Sequence, residues 1–270
     1  MKRGIALSLA LAAGAMLLLA GCMSFDVGNA IGREVAPKPA DSQAAAAPQG
    51  QPQGQAQPAP QSQPAGAAMA YQYQFGAFYS GFWSMGWFGY KDASYKAGQG
   101  TIWKFTNSKD NKPVTFERAL LKVSADSQWW QFKMDTGKPK ESITYEFLVS
   151  TADGTVSKVR YKDPDSGSVQ EFVPSQNQQQ PSQGGHVPTR EEMAQYKVDS
   201  QSVTVQAGTF TTDHYLYTDT KSNGSVESWV SMTVPGYMVK SIYTNKKNNQ
   251  TSTGELIQIE NGVTTALGSF

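Results

Sequence analysis

The chain has 270 residues, 23 Lys and Arg against 22 Asp and Glu, and a single cysteine. Near-neutral charge excludes the strongly basic surface that nucleic acid or a polyanionic partner requires. One cysteine excludes an intramolecular disulfide framework.

The chain opens MKRGIALSLALAAGAMLLLAGC. Lys2 and Arg3 precede an apolar run over residues 5–19 that has the length of a signal-peptide core and is too short for a comfortable bilayer span. The run ends in Leu19-Ala20-Gly21-Cys22. This resembles the lipobox of bacterial lipoproteins, in which small residues admit the peptidase and the cysteine thiol accepts the lipid. The resemblance implies cleavage before Cys22, a diacyl group on its sulfur and a third acyl chain on its new amine. At about 0.8 kcal/mol per buried methylene, several chains hold where one does not. The mature protein is then tethered to a membrane without spanning it. Loss of Lys2 and Arg3 with the leader leaves one more acid than base. Met23 stands where an Asp resembles an inner-membrane retention signal, so the outer membrane is the expected location.

Residues 36–68 are almost entirely Pro, Gln, Ala and Gly. Such a composition cannot bury enough surface to offset ordering entropy, so residues 22–70 are expected to form a disordered tether. The Pro/Gln-rich core of that tether averages about 30 Å end to end as a flexible coil. Residues 71–270 form the expected single β-rich domain, interrupted by a low-complexity loop at residues 174–189 that contains His186.

The domain begins with AFYSGFWSMGWFGY at residues 77–90, with seven aromatic rings, three glycines and no charge. Gly76, Gly81 and Gly86 recur every five residues, which fits neither helix nor strand. Three roles are open to this segment: packing as core or lid, contact with a membrane or partner, and lining a hydrophobic cavity.

Short β-rich runs then alternate with turn chemistry: GTIWKFTN, VTFERALLKVS, QWWQFKMD, SITYEFLVS, VSKVRYK and VQEFV before the loop. SVTVQ, GTFTTDHYLYT, VESWVSMTV, YMVKSIYT and GELIQIE follow it. Asp-Gly and Asn-Gly pairs between runs suit tight hairpins. The spacing predicts a mainly β fold: one antiparallel, meandering, curved sheet, half-barrel or barrel-like, with at most one or two short helices. One helix is expected in PTREEMAQYK, with Thr189 as cap and Glu192 at the capping-box position.

Period two assigns faces. Trp130, Phe132 and Met134 share one side, as do Ile143, Tyr145, Phe147 and Val149, and Val159 with Tyr161. Gln131, Lys133, Glu146, Lys158 and Arg160 point the other way and are expected to meet water. Trp129 also points outward, either as an interface anchor or covered by the tether or the aromatic segment.

A leader, a tether and a meandering sheet with one apolar face are similar to the LolA/LppX-like periplasmic proteins. VQAGTFTTDHYLY followed by VESWVSMTVPGYMVKS also resembles runs in secreted bacterial β-proteins. The resemblance implies a half-barrel whose apolar face holds acyl chains; period two puts Trp130, Phe132, Met134, Tyr145 and Phe147 on that face as the candidate ligand-binding residues.

No nucleophile elbow, phosphate loop or zinc motif is present, and one His214 on a strand cannot build a common zinc site. KDPDSGS reads as a turn, with weak calcium binding as the alternative. The expectation is a non-enzyme without cofactor or metal. Two functions stay open: a lipid or hydrophobic-ligand binder, and a structural or interaction lipoprotein that contacts another envelope protein with its core filled by its own side chains.

Overall fold

The computed structural model describes residues 74–76, 78–79, 94–138, 142–163, 166–174, 190–219 and 224–270. Cys22, the tether, residues 80–93, His186 and Thr189 lie outside the described residues. Within them the chain forms a single eleven-stranded antiparallel sheet. Its first half is β1 (Gln99–Asn107), β2 (Pro113–Val123), β3 (Ser127–Asp135), β4 (Ile143–Ser150), β5 (Val156–Lys162) and β6 (Val169–Phe172). A short helix α1 (Arg190–Met193) runs into a 3-10 turn (Ala194–Tyr196). The second half is β7 (Lys197–Val205), β8 (Gly208–Asp219), β9 (Gly224–Val230), β10 (Met238–Asn245) and β11 (Gln250–Asn261).

All eleven expected runs are strands, and the sheet is curved and not closed. Its order is β6-β5-β4-β3-β2-β1-β11-β10-β9-β8-β7. Every strand therefore pairs with its neighbours in sequence, except across the low-complexity loop between β6 and β7. The long-range join is β1 with β11, where Trp103 lies opposite Leu256 and Lys104 opposite Glu255. The far end rolls inward, so that Ala207 N–H donates to the Leu256 carbonyl at 3.3 Å.

The hairpins follow from local chemistry. In the β1–β2 turn Asn107 Oδ1 accepts from Lys109 N–H at 2.8 Å, an Asx turn, and Asn111, at φ 53°, donates its N–H to the Asn107 carbonyl at 2.8 Å. Between β4 and β5, Gly154 takes φ 78°, a conformation that costs glycine little. The KDPDSGS turn closes with Ser166 N–H on Asp163 Oδ1 at 3.1 Å and Gly167 N–H on the Asp163 carbonyl at 2.7 Å.

Alternation sends Trp103, Phe105, Val114, Leu120, Trp130, Phe132, Tyr145, Phe147, Val159 and Tyr161 into one core on the apolar face. A satellite cluster of Met193, Tyr215, Tyr217, Val230 and Tyr237 packs beneath α1. Among the described residues no helix is long and apolar enough to cross a membrane.

Candidate functional site

The five residues expected to form a ligand face lie side by side on β3 and β4. Trp130 is paired with Phe147, Phe132 with Tyr145 and Met134 with Ile143. Their exposures run only from 0% to 3%. What covers them is the segment before the sheet. Residues 74–76 and 78–79 are helical, and they lay Phe75, Phe78 and Tyr79 on the apolar face. The Phe75 ring meets Tyr145 at 5.6 Å, Phe147 at 5.7 Å and Phe172 at 5.8 Å, all edge-on. Phe78 sits 5.6 Å from Phe132 and 5.4 Å from Tyr145. Tyr79 Oη donates to the Gly154 carbonyl at 2.8 Å. Edge-to-face geometry places ring hydrogens over π faces and adds about 0.5–1.5 kcal/mol per pair beyond area burial. Of the three roles open to the aromatic stretch, its described residues Phe78 and Tyr79 take the core role.

A cleft of about 510 Å³ opens at one end of β3 and β4, lined in part by Lys133, Met134, Asp135, Ile143, Lys162 and Asp163. Met134 alone of the five candidates reaches it. Beside it, burial and then the Asp163 charge raise the Tyr161 hydroxyl above its usual range.

Period two gives no warning of Arg118. It stands in the apolar row of β2, opposite Phe132, and is fully buried. Its Nε donates to Tyr95 Oη at 3.1 Å, and its guanidinium lies 5.0 Å from the Tyr95 ring and 5.3 Å from the Trp103 ring. Tyr95 Oη also bonds Thr101 Oγ1. Trp103 Nε1 donates to the Met238 carbonyl at 3.0 Å. The VPGY turn after β9 closes over this group, with Gly236 at φ 75° against Arg118 Nη2. Stacking on two rings is a low-hydration environment that guanidinium tolerates better than ammonium.

The polar face departs from expectation. Gln131 and Glu146 have no exposure and Arg160 only 5%. The chain after β11 folds back over them as a strap. Glu146 accepts from the Thr265 hydroxyl at 2.8 Å, Ala266 N–H at 2.8 Å and Leu267 N–H at 3.2 Å. Gln131 Oε1 accepts from Ala266 N–H at 3.2 Å. Arg160 Nη2 donates to the Leu267 carbonyl at 2.7 Å, and its Nη1 stands 3.5 Å from Glu146 Oε2. Leu267 is buried. Phe270 lies on Trp129 with ring centres 4.7 Å apart, 5.8 Å from the Arg160 guanidinium. Among the described residues it is Phe270 of the strap that covers Trp129. The expectation that Gln131, Glu146 and Arg160 meet water is corrected. A buried ion pair is tolerated because main-chain donors and an acceptor supply it with hydrogen bonds, while Arg160 Nε faces Glu171 at 3.4 Å.

The attractions that hold the strap and the cost of ordering it are of the same order. Burying Leu267 contributes about 2 kcal/mol. Stacking adds about 1 kcal/mol. Each hydrogen bond to a charged group adds about 1.5–3 kcal/mol. Ordering Thr264–Phe270 costs about 1–2 kcal/mol per residue, a sum of similar size.

Next to the strap, Glu117 accepts from Gln131 Nε2 at 2.7 Å and Lys133 Nζ at 2.9 Å. Burial, and then the Glu117 charge, push the Glu260 carboxyl above its ordinary range, against the opposing pull of Lys133. On the second half of the sheet His214 is neither in the core nor isolated. It stacks parallel on Trp229 at 4.7 Å, with Asp199 3.4 Å from Nδ1 and Glu227 3.4 Å from Nε2.

No family model matches the chain, and no curated protein matches it. Solved structures do. MucB in the MucA/MucB complex of Pseudomonas aeruginosa aligns at 13% identity with a TM-score of 0.39, over 72% of this chain and 61% of that one. This chain therefore spans about three fifths of the length of that relative. The hypothetical protein CT021 of Chlamydia trachomatis aligns at 7% identity with a TM-score of 0.42, over 67% of this chain and 95% of that one. A candidate lipoprotein of Parabacteroides distasonis aligns at 14% identity with a TM-score of 0.31, over 63% and 98% of the two chains.

Proposed function

We propose that this chain is a non-catalytic interaction lipoprotein of the cell envelope. Cys22 carries the lipid, the Pro/Gln-rich stretch is the leash, and the β-domain meets another envelope protein. The outer membrane is the proposed site. The observation that carries the interaction reading is the sealing of the ring-lined face: Trp130, Phe132, Tyr145 and Phe147 are covered by the chain's own Phe75, Phe78 and Tyr79. A face filled in this way leaves the polar face and the sheet edges as the surfaces that meet a partner.

The test is native mass spectrometry of the full mature chain released from membranes. Bare domain mass plus the Cys22 acyl chains is expected. Stoichiometric additional lipid overturns the self-filled reading. Cys22→Ser is expected to abolish membrane association; a variant that still sediments with membranes after a high-salt wash removes the anchor.

A second reading has one observation in its favour. The covering rings come from a segment outside the sheet, so lipid or another hydrophobic ligand could take their place on β3 and β4. That reading predicts the co-purifying lipid that the first denies.

A further inference from the structure

The strap leaves beneath it a groove on β3–β5 that reads main chain. One wall is Trp129 and Gln131, the floor is Glu146, and the far wall is Arg160. Glu146 takes two successive N–H groups and a hydroxyl, Arg160 takes the next carbonyl, and Trp129 takes a ring three residues further on. Beneath the strap Glu146 is wholly buried and Arg160 almost so, and both spend their hydrogen bonds on its main chain. Any segment that covers this carboxylate and guanidinium takes water from them and must offer matching donors and an acceptor in its place.

The occupant is held through side chains of the sheet rather than through the sheet's backbone. It makes no ladder with the sheet. Thr264, Ala266, Gly268, Ser269 and Phe270 are exposed, and only Leu267 is buried. It leaves β11 through Gly262, at φ 75° with open space around it. The attractions that hold it come close to the entropy lost in ordering it.

We infer that this groove is a peptide-docking site, occupied in cis by residues 264–270 as a resident and exchangeable ligand. Its partner is an extended polypeptide segment with two consecutive main-chain N–H groups, the carbonyl that follows them, and an aromatic side chain three residues on. Charge does not select this partner, because Arg160 and Lys158 are already matched by Glu146 and Glu171. Backbone pattern and the terminal ring do. The inference gives the interaction reading its surface. It stands apart from the lipid question, which concerns the opposite face.

The probe is a fluorescent synthetic peptide of residues 263–270, VTTALGSF, added to the detergent-solubilised mature chain carrying Leu267→Ala to loosen the strap. Saturable binding is expected, at least tenfold tighter than to the unsubstituted chain. A peptide N-methylated at the amides equivalent to Ala266 and Leu267 is expected to bind at least tenfold more weakly. Equal binding of the two peptides, or none, overturns the inference. The unsubstituted chain gives an independent readout by amide exchange followed by NMR. Ala266 and Leu267 amides are expected to exchange at least tenfold faster than Phe147, and faster still as peptide is added. Exchange at the rate of Phe147, unmoved by peptide, makes the strap an integral part of the core and overturns the inference. Lipid found by mass spectrometry together with peptide binding would refute the self-filled face and leave the groove standing.

Discussion

Phe75→Ala separates a core residue from a loosely resting one. The ring is 1% exposed and lies within 6 Å, centre to centre, of four others: Tyr79, Tyr145, Phe147 and Phe172. If Phe75 belongs to the core, its removal takes away its transfer free energy and three edge-to-face contacts and opens a cavity between β4, β5 and β6. Substitutions of this kind cost about 3–5 kcal/mol. A domain of this size unfolds in urea with a slope of about 2–3 kcal/mol per molar. The midpoint should fall by about 1–2 M with the slope unchanged, and the melting temperature by roughly 10 °C. Intrinsic tryptophan fluorescence is the assay, since Trp103, Trp129 and Trp130 are all buried. A midpoint shift below about 0.3 M at constant slope would refute the reasoning. The rings before the sheet would then rest on a face that is stable without them, and the ligand-binding reading would gain what the self-filled reading lost.

Two further substitutions test other parts of the structure. Gly236→Ala forces a side chain into left-handed backbone at φ 75° and against the Arg118 guanidinium. The backbone alone accounts for about 1 kcal/mol and the displaced arginine for more, so a drop in urea midpoint larger than Gly262→Ala produces is expected. Glu260→Gln tests the raised carboxyl. A group whose folded pKa lies above its unfolded value supports the fold below the unfolded pKa and loses that support as pH rises through the folded one. The substituted chain should therefore be more stable than the original at pH 7, with the gap closing toward pH 4. Urea midpoints at several pH values check the sign, and a gap that widens on acidification contradicts it.

The eleven strands were legible because each is a short β-rich run that ends at residues that turn the chain. Face assignment was legible from period two: Trp130, Phe132, Tyr145 and Phe147 point where alternation puts them. Three features were not. Arg118 breaks the apolar row of β2, and its tolerance depends on Tyr95, Trp103 and a turn more than a hundred residues away. Gln131, Glu146 and Arg160 read as a solvated face because nothing local signals their cover, which arrives from the other end of the chain. That cover, VTTALGSF, has no period, since a strap bound through its backbone imposes few demands on its side chains. A polar triplet facing one way on three adjacent strands, with an aperiodic tail carrying one leucine and one phenylalanine, is the pattern that could have hinted at it.

The pairing of the first strand with the last has a consequence for connectivity. Joined there, the ladders form a circuit with one break, at the glutamine-rich stretch between β6 and β7. A gene cut within that stretch and spliced from the end of β11 to the start of β1 would encode a permuted chain that keeps every backbone ladder. In the natural order, by contrast, the sheet's central seam joins the two described strands that stand farthest apart in sequence.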